Sequence, residues 1–508
     1  MKRTIALLFI LFTVSAFAAD HPNIIVIYTD DQGYGDAGNL NPDSKFATPA
    51  LDRLAAEGMT FTDAHCSDTV CTPSRYGLLT GRYAWRTRLK SGVFGAETPC
   101  LIEGERTTLA SLTRGHGYDT AMVGKWHLGM EFPGDRNNRD WTRPVTDMPL
   151  DKGFEYFYGI PASLNYGILA WFEGRHAAVP PTLYTSKKPN RIAIKDYRIM
   201  PPYESGRTDL KLPNDTGNVS GPLEIAPDFV DSECLTRFTD KTIEWLAEKR
   251  NPDKPFFVYL PYTSPHKPVI PIESFLGKSE AGAYGDFMME TDWHIGRILD
   301  WLDENDLAEN TMVVFSSDNG PENTWPERLK KFNHDSNGIY REGKRSIYEG
   351  GHRVPFYVRW PAKVQPGTTY EGPVCQTDLL ATLAEILDCE LDDNSGEDSV
   401  SFLDVLLTGK AKKTRLPMIH HGVAGRFAVR EGDWKLVMET GKKSEVRELY
   451  DLGKDPSETR SILKEHPEVE ANLIGQLNEI VRSGRTTPGK AAGNDTGWWN
   501  KLVWMDEW

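Results

Sequence analysis

Residues 23–28 read NIIVIY, a short unbroken run of apolar and β-branched residues. Such a run lacks the alternation of a half-exposed strand and fits a strand buried on both faces. It ends in Thr29-Asp30-Asp31-Gln32-Gly33. The segment TPALDRLAAEG follows, with Thr48 as a helix N-cap, Pro49 at the first helical position and Gly58 as the stop. The same alternation recurs. TLASLTRGHG leads into DTAMVGKWHLG, and DFMMETDWHIGRILDWLDENDL leads into TMVVFSSDNG, while KPFFVYLPYTSPHKP is a further apolar strand that opens into a polar loop. Repeated helix and buried-strand units predict an α/β domain with a large, mainly parallel central sheet flanked by helices.

From about Pro161 to Pro227 the rhythm dissolves into segments such as HAAVPPTLYTSKKPN, which predict an ordered loop region that shapes a pocket. After about residue 410 it changes to RFAVREGDWKLVME and RELYDL, followed by PEVEANLIGQLNEIVRSG. These predict a small C-terminal α+β domain over 411–508, with a few antiparallel strands and one helix packed on them. The tail GWWNKLVWMDEW carries Trp498, Trp499, Trp504 and Trp508, and packing onto the body is a simpler use for them than sugar stacking.

Polar motifs fall where strands end. Asp30-Asp31, Lys125 with His127, His266, and Asp318-Asn319 each follow a predicted strand at its carboxyl end, the edge of an open α/β sheet where ligands bind.

Composition and charge narrow the picture. With 39% hydrophobic and 26% charged residues over 508 positions, the chain is an ordinary globular protein with room for a large domain and a smaller one. Residues 1–19 read as a secretory signal: Lys2 and Arg3, an apolar run from Ile5 to Val14, then Ala16-Phe17-Ala18 as a cleavage site. That run is short for a membrane span, so the expectation is an exported protein, periplasmic or secreted, with no stable membrane anchor and a catalytic region over 20–410. Losing the signal moves the net charge from −15 to about −17. Such a field repels nucleic acid, and an anionic substrate would need a local cluster of cations. Six cysteines (66, 71, 100, 234, 375 and 389) are too few to build a disulfide scaffold, although export permits a bridge such as Cys375 with Cys389.

Two acid pairs, Asp30-Asp31 and Asp318-Asn319, supply hard oxygen ligands. Converging carboxylates repel, and a divalent cation relieves that, with all-oxygen ligation favouring Ca²⁺ or Mg²⁺ over Zn²⁺. A simpler use for each pair alone is to form a turn. Arg75, Lys125, His127, His266 and Lys344 are the candidate cationic cluster. Lys344 has glycine-rich flanks, GKRSIYEGG, that would let backbone approach a ligand. Cys71 stands just ahead of Pro73 and Ser74, reasonable helix-start residues, at a place where backbone N–H groups and the helix dipole favour an anion.

These motifs together resemble the formylglycine-dependent sulfatases, the arylsulfatase-like family within the alkaline phosphatase superfamily. The resemblance runs from residue 23 to about 450. It rests on Asp30-Asp31, on C-x-P-S-R followed by L-x-G-R (Cys71 to Arg82), and on GKWHLG (124–129). PHKP (265–268), SDNG (317–320) and GKRSIYEGG (343–351) follow in the family's order. It implies an alkaline-phosphatase-like fold and a sulfuric ester hydrolase. It also implies that a formylglycine-generating maturation enzyme oxidises Cys71 to 3-oxoalanine (Cα-formylglycine). One hydroxyl of its hydrate attacks sulfur and expels the alcohol; deprotonation of the second releases sulfate and restores the aldehyde.

The resemblance further implies one Ca²⁺ ion, rather than Mg²⁺, held by Asp30, Asp31, Asp318 and Asn319 and touching residue 71. Arg75 would orient the diol, Lys125 and Lys344 would bind sulfate oxygens, His127 would take the second hydroxyl's proton, and His266 would serve the leaving alcohol. Tyr76 departs from the small residue common after C-x-P-S-R. Cys66 lies close enough to silence Cys71 by a disulfide unless it is buried or paired elsewhere. The expected substrate is a sulfated glycan, with 6-O-sulfated galactose or N-acetylgalactosamine as the guess from family similarity. The alternatives are a phosphate- or phosphonate-ester hydrolase of the same superfamily and a non-catalytic glycan binder on the same scaffold.

Overall fold

A computed structural model describes residues 21–135, 138–185, 223–440 and 445–505. The run at residue 23 forms the strand Asn23–Asp30, buried from Ile24 onward and bonded in parallel on both sides, to Phe256–Pro265 and to Thr311–Ser317. With no solvent face it needs no polar alternation, which is why its sequence is continuously apolar. Asp119–Lys125 joins the far side of Phe256–Pro265, and Tyr156–Ile160 joins Asp119–Lys125, both in parallel. The rims are antiparallel. Phe172–Glu173 and His176–Ala177 close one edge, and Phe356–Arg359 followed by Met59–Phe61 builds the other, where Thr368–Tyr370 adds a last strand parallel to Met59–Phe61. The result is a ten-stranded sheet, parallel at its centre.

Helices Pro49–Glu57, Cys234–Glu244 and Gly282–Glu304 form one packed group on this sheet, and Cys71–Thr80, Leu109–Gly115 and Leu379–Ile386 form another. Thr48 takes the N-cap position of Pro49–Glu57 but does not cap it, because its hydroxyl accepts the Gly38 amide. The cap comes from Asp292, whose carboxylate oxygens accept the Ala50 and Leu51 amides at 2.9 Å. The expected pocket-shaping region after Pro161 includes a small sheet of Ile168–Leu169, Leu183–Thr185 and Leu223–Ile225, while 186–222 lie outside the described residues, as does the leader 1–19.

The C-terminal region forms the expected antiparallel sheet, Met418–Gly422, Arg426–Glu431, Trp434–Thr440 and Glu445–Asp451 in sequence order. Helix Pro467–Ser483 lays Leu473, Leu477, Ile480 and Val481 against Ile419, Phe427, Leu436 and Leu449, the spacing of an amphipathic stripe. The tail packs there too. Trp498, Trp499 and Trp504 border that cluster, with the Trp499 ring 6.2 Å from Trp85 and Trp504 5.1 Å from Phe427. Trp508 lies outside the described residues. No helix among the described residues is long and apolar enough to cross a membrane. All six cysteines are free, so Cys375 and Cys389 do not pair.

The small sheet is tied to the large domain by a buried lysine. Nζ of Lys435 donates to Glu349 at 3.0 Å and to His352 Nε2 at 3.1 Å, and forms an ion pair with Glu458 at 2.8 Å. Glu349 and His352 bound the short helix that follows the Lys344 loop. Lys435→Met therefore leaves two buried carboxylates short of a counter-charge, and it should lower unfolding free energy by about 3–5 kcal/mol in denaturant titration.

Candidate active site

The parallel strands deliver the sequence motifs to one edge. Asp30 ends the central strand, Asp318 and Asn319 follow Thr311–Ser317, Lys125 ends Asp119–Lys125, and His266 follows Phe256–Pro265. Cys71 comes from a separate element. It is the first residue of the fully buried helix Cys71–Thr80, not a residue ahead of it. Pro73 is tolerated there because the amides of a first turn lack intrahelical partners. The N-cap, Val70, makes no side-chain cap, so the helix presents an uncapped N-terminus at Cys71.

Three carboxylates are buried together, and three cations meet them. Lys125 Nζ donates to Asp30 and Lys344 Nζ to Asp31. Arg75 donates from Nε and Nη2 to Asp318 Oδ2 at 3.1 and 2.7 Å, with Asp30 Oδ1 3.8 Å away. Asn319 Nδ2 donates to Asp31 Oδ1 at 2.8 Å, and the Asp31 amide donates to Asp318 Oδ1 at 3.2 Å.

The charges divide unequally. Burial opposes ionisation of Asp30, but Lys125, with His266, Arg75 and Lys344, holds it well below the ordinary carboxylate range. Burial and the neighbouring Asp30 push Asp318 up to about 7, against the pull of Arg75. Of these two, Asp30 keeps its charge the more firmly.

Asp30 Oδ1, Asp31 Oδ2 and Asn319 Oδ1 are buried and have no hydrogen-bond partner. Metal-ligand atoms of Asp30, Cys71 and Asp318 lie within 4.8 Å of one another, as do those of Asp30, Asp31 and His266. Converging, orphaned hard oxygens fit an oxygen-seeking divalent cation, and a buried polar atom left without one is costly.

The two histidines differ in what their ring nitrogens do. His127 Nε2 donates to the Phe94 carbonyl at 2.9 Å, and its Nδ1 is buried without a partner. Burial, then Lys125 and Arg75, keeps this imidazole neutral by pushing its pKa far down. His266 Nδ1 donates to the Lys267 carbonyl at 2.6 Å, and Nε2 lies 3.8 Å from Asp31 Oδ2. Burial brings its pKa down to about 4, although Asp30 and Asp31 favour the charged form. The Cys71 thiol is pushed up by burial and by Asp30 and Asp318, with Lys125 and Lys344 acting the other way. A thiolate is therefore disfavoured at residue 71. Cys66, also buried, donates its thiol to the Asp68 and His352 carbonyls and makes no bond to Cys71.

All the candidate residues named from the sequence converge here. Asp31 and His127 do so with left-handed backbones, φ 69° and 58°, conformations that side chains other than glycine adopt at a cost. The glycines around Lys344 serve a different purpose from the expected one. A Cβ at Gly343, Gly350 or Gly351 would meet the carbonyls of Pro321, Glu342 or Ser346 at 2.8, 2.2 or 2.0 Å, so these residues admit neighbouring backbone and not a ligand. Sequence reasoning missed the Phe94 carbonyl that fixes the His127 tautomer and the Tyr166 ring 5.4 Å from His127, neither of which belongs to a motif.

The family model described as Sulfatase matches residues 22–389, and that of the N-sulphoglucosamine sulphohydrolase C-terminal region matches 338–483. The chain belongs to the sulfatase family. It is 33% identical over 497 residues to an N-acetylgalactosamine-6-O-sulfatase of Bacteroides thetaiotaomicron, covering 92% of this chain and 93% of that one. It is 32% identical over 471 residues to human arylsulfatase A, covering 87% and 83%. A solved Bacteroides thetaiotaomicron protein, described for the metabolism of multiple glycosaminoglycans, superposes with a TM-score of 0.78 at 32% identity, covering 91% of this chain and 99% of its own. The phosphonate monoester hydrolase of Agrobacterium radiobacter, 18% identical with a TM-score of 0.58 and covering 91% and 95%, shares the fold. The sulfatase is therefore a sulfuric ester hydrolase.

Gly320, directly after Asn319, tests how tightly the sulfatase edge is held. A Cβ there would meet the Gly350 carbonyl oxygen at 1.8 Å, which is backbone and cannot swing aside. Gly320→Ala should cost about 1–3 kcal/mol in denaturant titration and lower kcat far more than it raises KM, because Asp318 and Asn319 move with the shifted backbone.

Proposed function

We propose that this enzyme is exported, is matured at Cys71 to formylglycine, binds one Ca²⁺, and removes a 6-O-sulfate from galactose-type sugars of a sulfated glycan, N-acetylgalactosamine first. The observation that carries the chemistry is the burial of residue 71, at an uncapped helix N-terminus, among paired carboxylates and cations. The likeness to an N-acetylgalactosamine-6-O-sulfatase over nearly the whole of both chains supports the sugar and position. The N-terminal leader supports export.

Residue 71 is a cysteine in this structure, and its Sγ stands in for the oxygens of the hydrated aldehyde. As that hydrate, residue 71 offers one hydroxyl to sulfur and a second whose deprotonation releases sulfate and restores the aldehyde. Asp30, Asp31, Asp318 and Asn319 would hold Ca²⁺, which when bound supplies positive charge to the nucleophile and to a sulfate oxygen. Lys125 and Lys344 flank residue 71 electrostatically and suit charge developing on the sulfate oxygens, as preorganised donors that need no rearrangement. Arg75 holds Asp318 and its Nη1 donates to the Lys125 carbonyl at 3.3 Å, so it fixes two of these groups at once. His127, neutral and with Nδ1 open, would accept the second hydroxyl's proton. With its Nδ1–H given to the Lys267 carbonyl, His266 would donate an Nε2–H to the leaving oxygen only as the imidazolium, the form that Asp30 and Asp31 favour against burial.

Protein from a maturation-competent host, digested with trypsin, should give the peptide 54–75 with residue 71 as the aldehyde, lighter than the thiol form; the hydrate, nearly equal in mass to the thiol, is told from it by its failure to react with a thiol-alkylating reagent. Cys71→Ala should lose turnover of a 6-O-sulfated N-acetylgalactosamine by on the order of 10⁴-fold or more. Finding only thiol at residue 71 in protein that still hydrolyses the ester would overturn the mechanism. Ca²⁺ added to chelator-treated protein should raise its Tm and restore activity, with Mg²⁺ weaker in both. Asp31→Ala should abolish the Ca²⁺-dependent rise in Tm.

A further inference from the structure

Thr72, directly after Cys71, is fully buried, and its hydroxyl accepts the Phe94 amide at 3.2 Å. The carbonyl of that same residue accepts from His127 Nε2 at 2.9 Å. Phe94 thus links the helix that starts at residue 71 to the imidazole whose Nδ1 is open, through two hydrogen bonds. A second route reinforces the link. The Gly92 amide donates to the Val423 carbonyl at 2.9 Å, and the Val423 amide donates to the Thr69 hydroxyl at 3.2 Å. The hydroxyls at 69 and 72, one on each side of Cys71, therefore both bear on residues 92–94.

Residues 92–94 need that support. They belong to no helix or strand, so no ladder of hydrogen bonds fixes where the Phe94 carbonyl points. The place of that carbonyl decides what His127 can do. A neutral imidazole carries one ring proton, and while Nε2–H is given to Phe94 the lone pair lies on Nδ1, the atom without a partner. With the carbonyl displaced, a buried Nε2–H would have no acceptor. The proton would then move to Nδ1, or the ring would turn, and Nδ1 would no longer accept. The His127 amide, bonded to the Pro161 carbonyl at 2.9 Å, holds the main chain and not the ring.

We propose that Thr72 is a positioning residue for the second half of the reaction: through Phe94 it sets the tautomer and orientation in which His127 takes the proton that releases sulfate. This rests on the proposed roles of formylglycine-71 and His127. In that step the remaining hydroxyl of the sulfated hydrate gives its proton to His127 Nδ1. The electron pair left on that oxygen closes the aldehyde C=O, and the C–O bond to sulfate breaks, so that sulfate leaves with the bonding pair. Attack on sulfur by the first hydroxyl does not call on His127, so Thr72 bears on release and not on attack.

Thr72→Val keeps the shape of the side chain without its hydroxyl, Thr72→Ser keeps the hydroxyl, and both leave the flanking Cys71, Pro73, Ser74 and Arg75 intact. Thr72→Ala is a second hydroxyl-free variant, which guards against the valine failing to pack. Conversion of residue 71 is confirmed in each by mass spectrometry before assay. On 6-O-sulfated N-acetylgalactosamine, Thr72→Val and Thr72→Ala should lose about 10- to 100-fold in kcat, the scale of a buried donor left without its acceptor, with KM unchanged or lower. Acid-quenched turnover mixtures, digested with trypsin, should show the peptide 54–75 heavier by one sulfo group, in a larger fraction than in the unsubstituted enzyme. Thr72→Ser should keep kcat and show no such build-up. Full kcat in both hydroxyl-free variants, a loss of kcat with no sulfated peptide, or a serine variant as slow as the valine one would overturn the proposal. His127→Ala is the control and should accumulate the same sulfated peptide. If it does and neither hydroxyl-free variant does, only the positioning role falls; if it does not, the proposed role of His127 falls as well.

Discussion

Asp30, Asp31 and Asp318 crowd into a site that water does not reach, and each ionised carboxylate taken out of water costs several kcal/mol unless it is paired. Much of the catalytic edge can be read as an answer to that cost. Lys125, Lys344 and Arg75 are placed one to each acid, and Asn319 and the Asp31 amide add hydrogen bonds. Even so, one oxygen of Asp30, one of Asp31 and one of Asn319 stay without a partner. What stays unmet is a set of converging oxygen acceptors, which suits the proposed divalent cation.

Holding such a cluster demands a stiff frame, and the parallel sheet supplies it. Four of its strands end at the site, and each contributes residues at or just beyond its last position. The strand ends and loops that carry them are pressed together closely enough that a Cβ on Gly124 or Gly320 would meet a backbone carbonyl oxygen at 2.1 or 1.8 Å. Asp31, His127 and Arg345 accept left-handed backbones in the same small region. Strain of this kind persists only where surrounding structure over-determines it, and here ion pairs hold Asp31 and Arg345 while the Phe94 carbonyl holds His127.

The sequence shows these features unevenly, for physical reasons. Buried parallel strands announce themselves as unbroken apolar runs, and the site residues sit at fixed offsets from them, so the centre of the sheet and the acid and cation pairs were legible. Strands such as Phe172–Glu173 and Met59–Phe61 are too short to show any period, which hides the antiparallel rims. Interactions between distant segments leave no local mark. Asp292 capping the helix at Ala50, the Phe94 carbonyl on His127, and Glu322 bridging Lys267 and Arg345 all belong to this class. The glycines near Lys344 were visible, but their purpose was not, since a glycine that admits backbone and one that admits a ligand look the same in a sequence.

The carboxylate cluster also bears on why residue 71 would be modified. A cysteine nucleophile works as a thiolate, and burial together with Asp30 and Asp318 raises the Cys71 thiol. Moving those acids away would free the thiolate but would remove the oxygens that suit a divalent cation. An aldehyde hydrate escapes the conflict, because it is uncharged at rest and needs to lose a proton only as the reaction proceeds. The same acids that suppress a thiolate can then hold the positive charge that favours deprotonation, so the proposed oxidation of Cys71 and the acid cluster are two parts of one electrostatic solution.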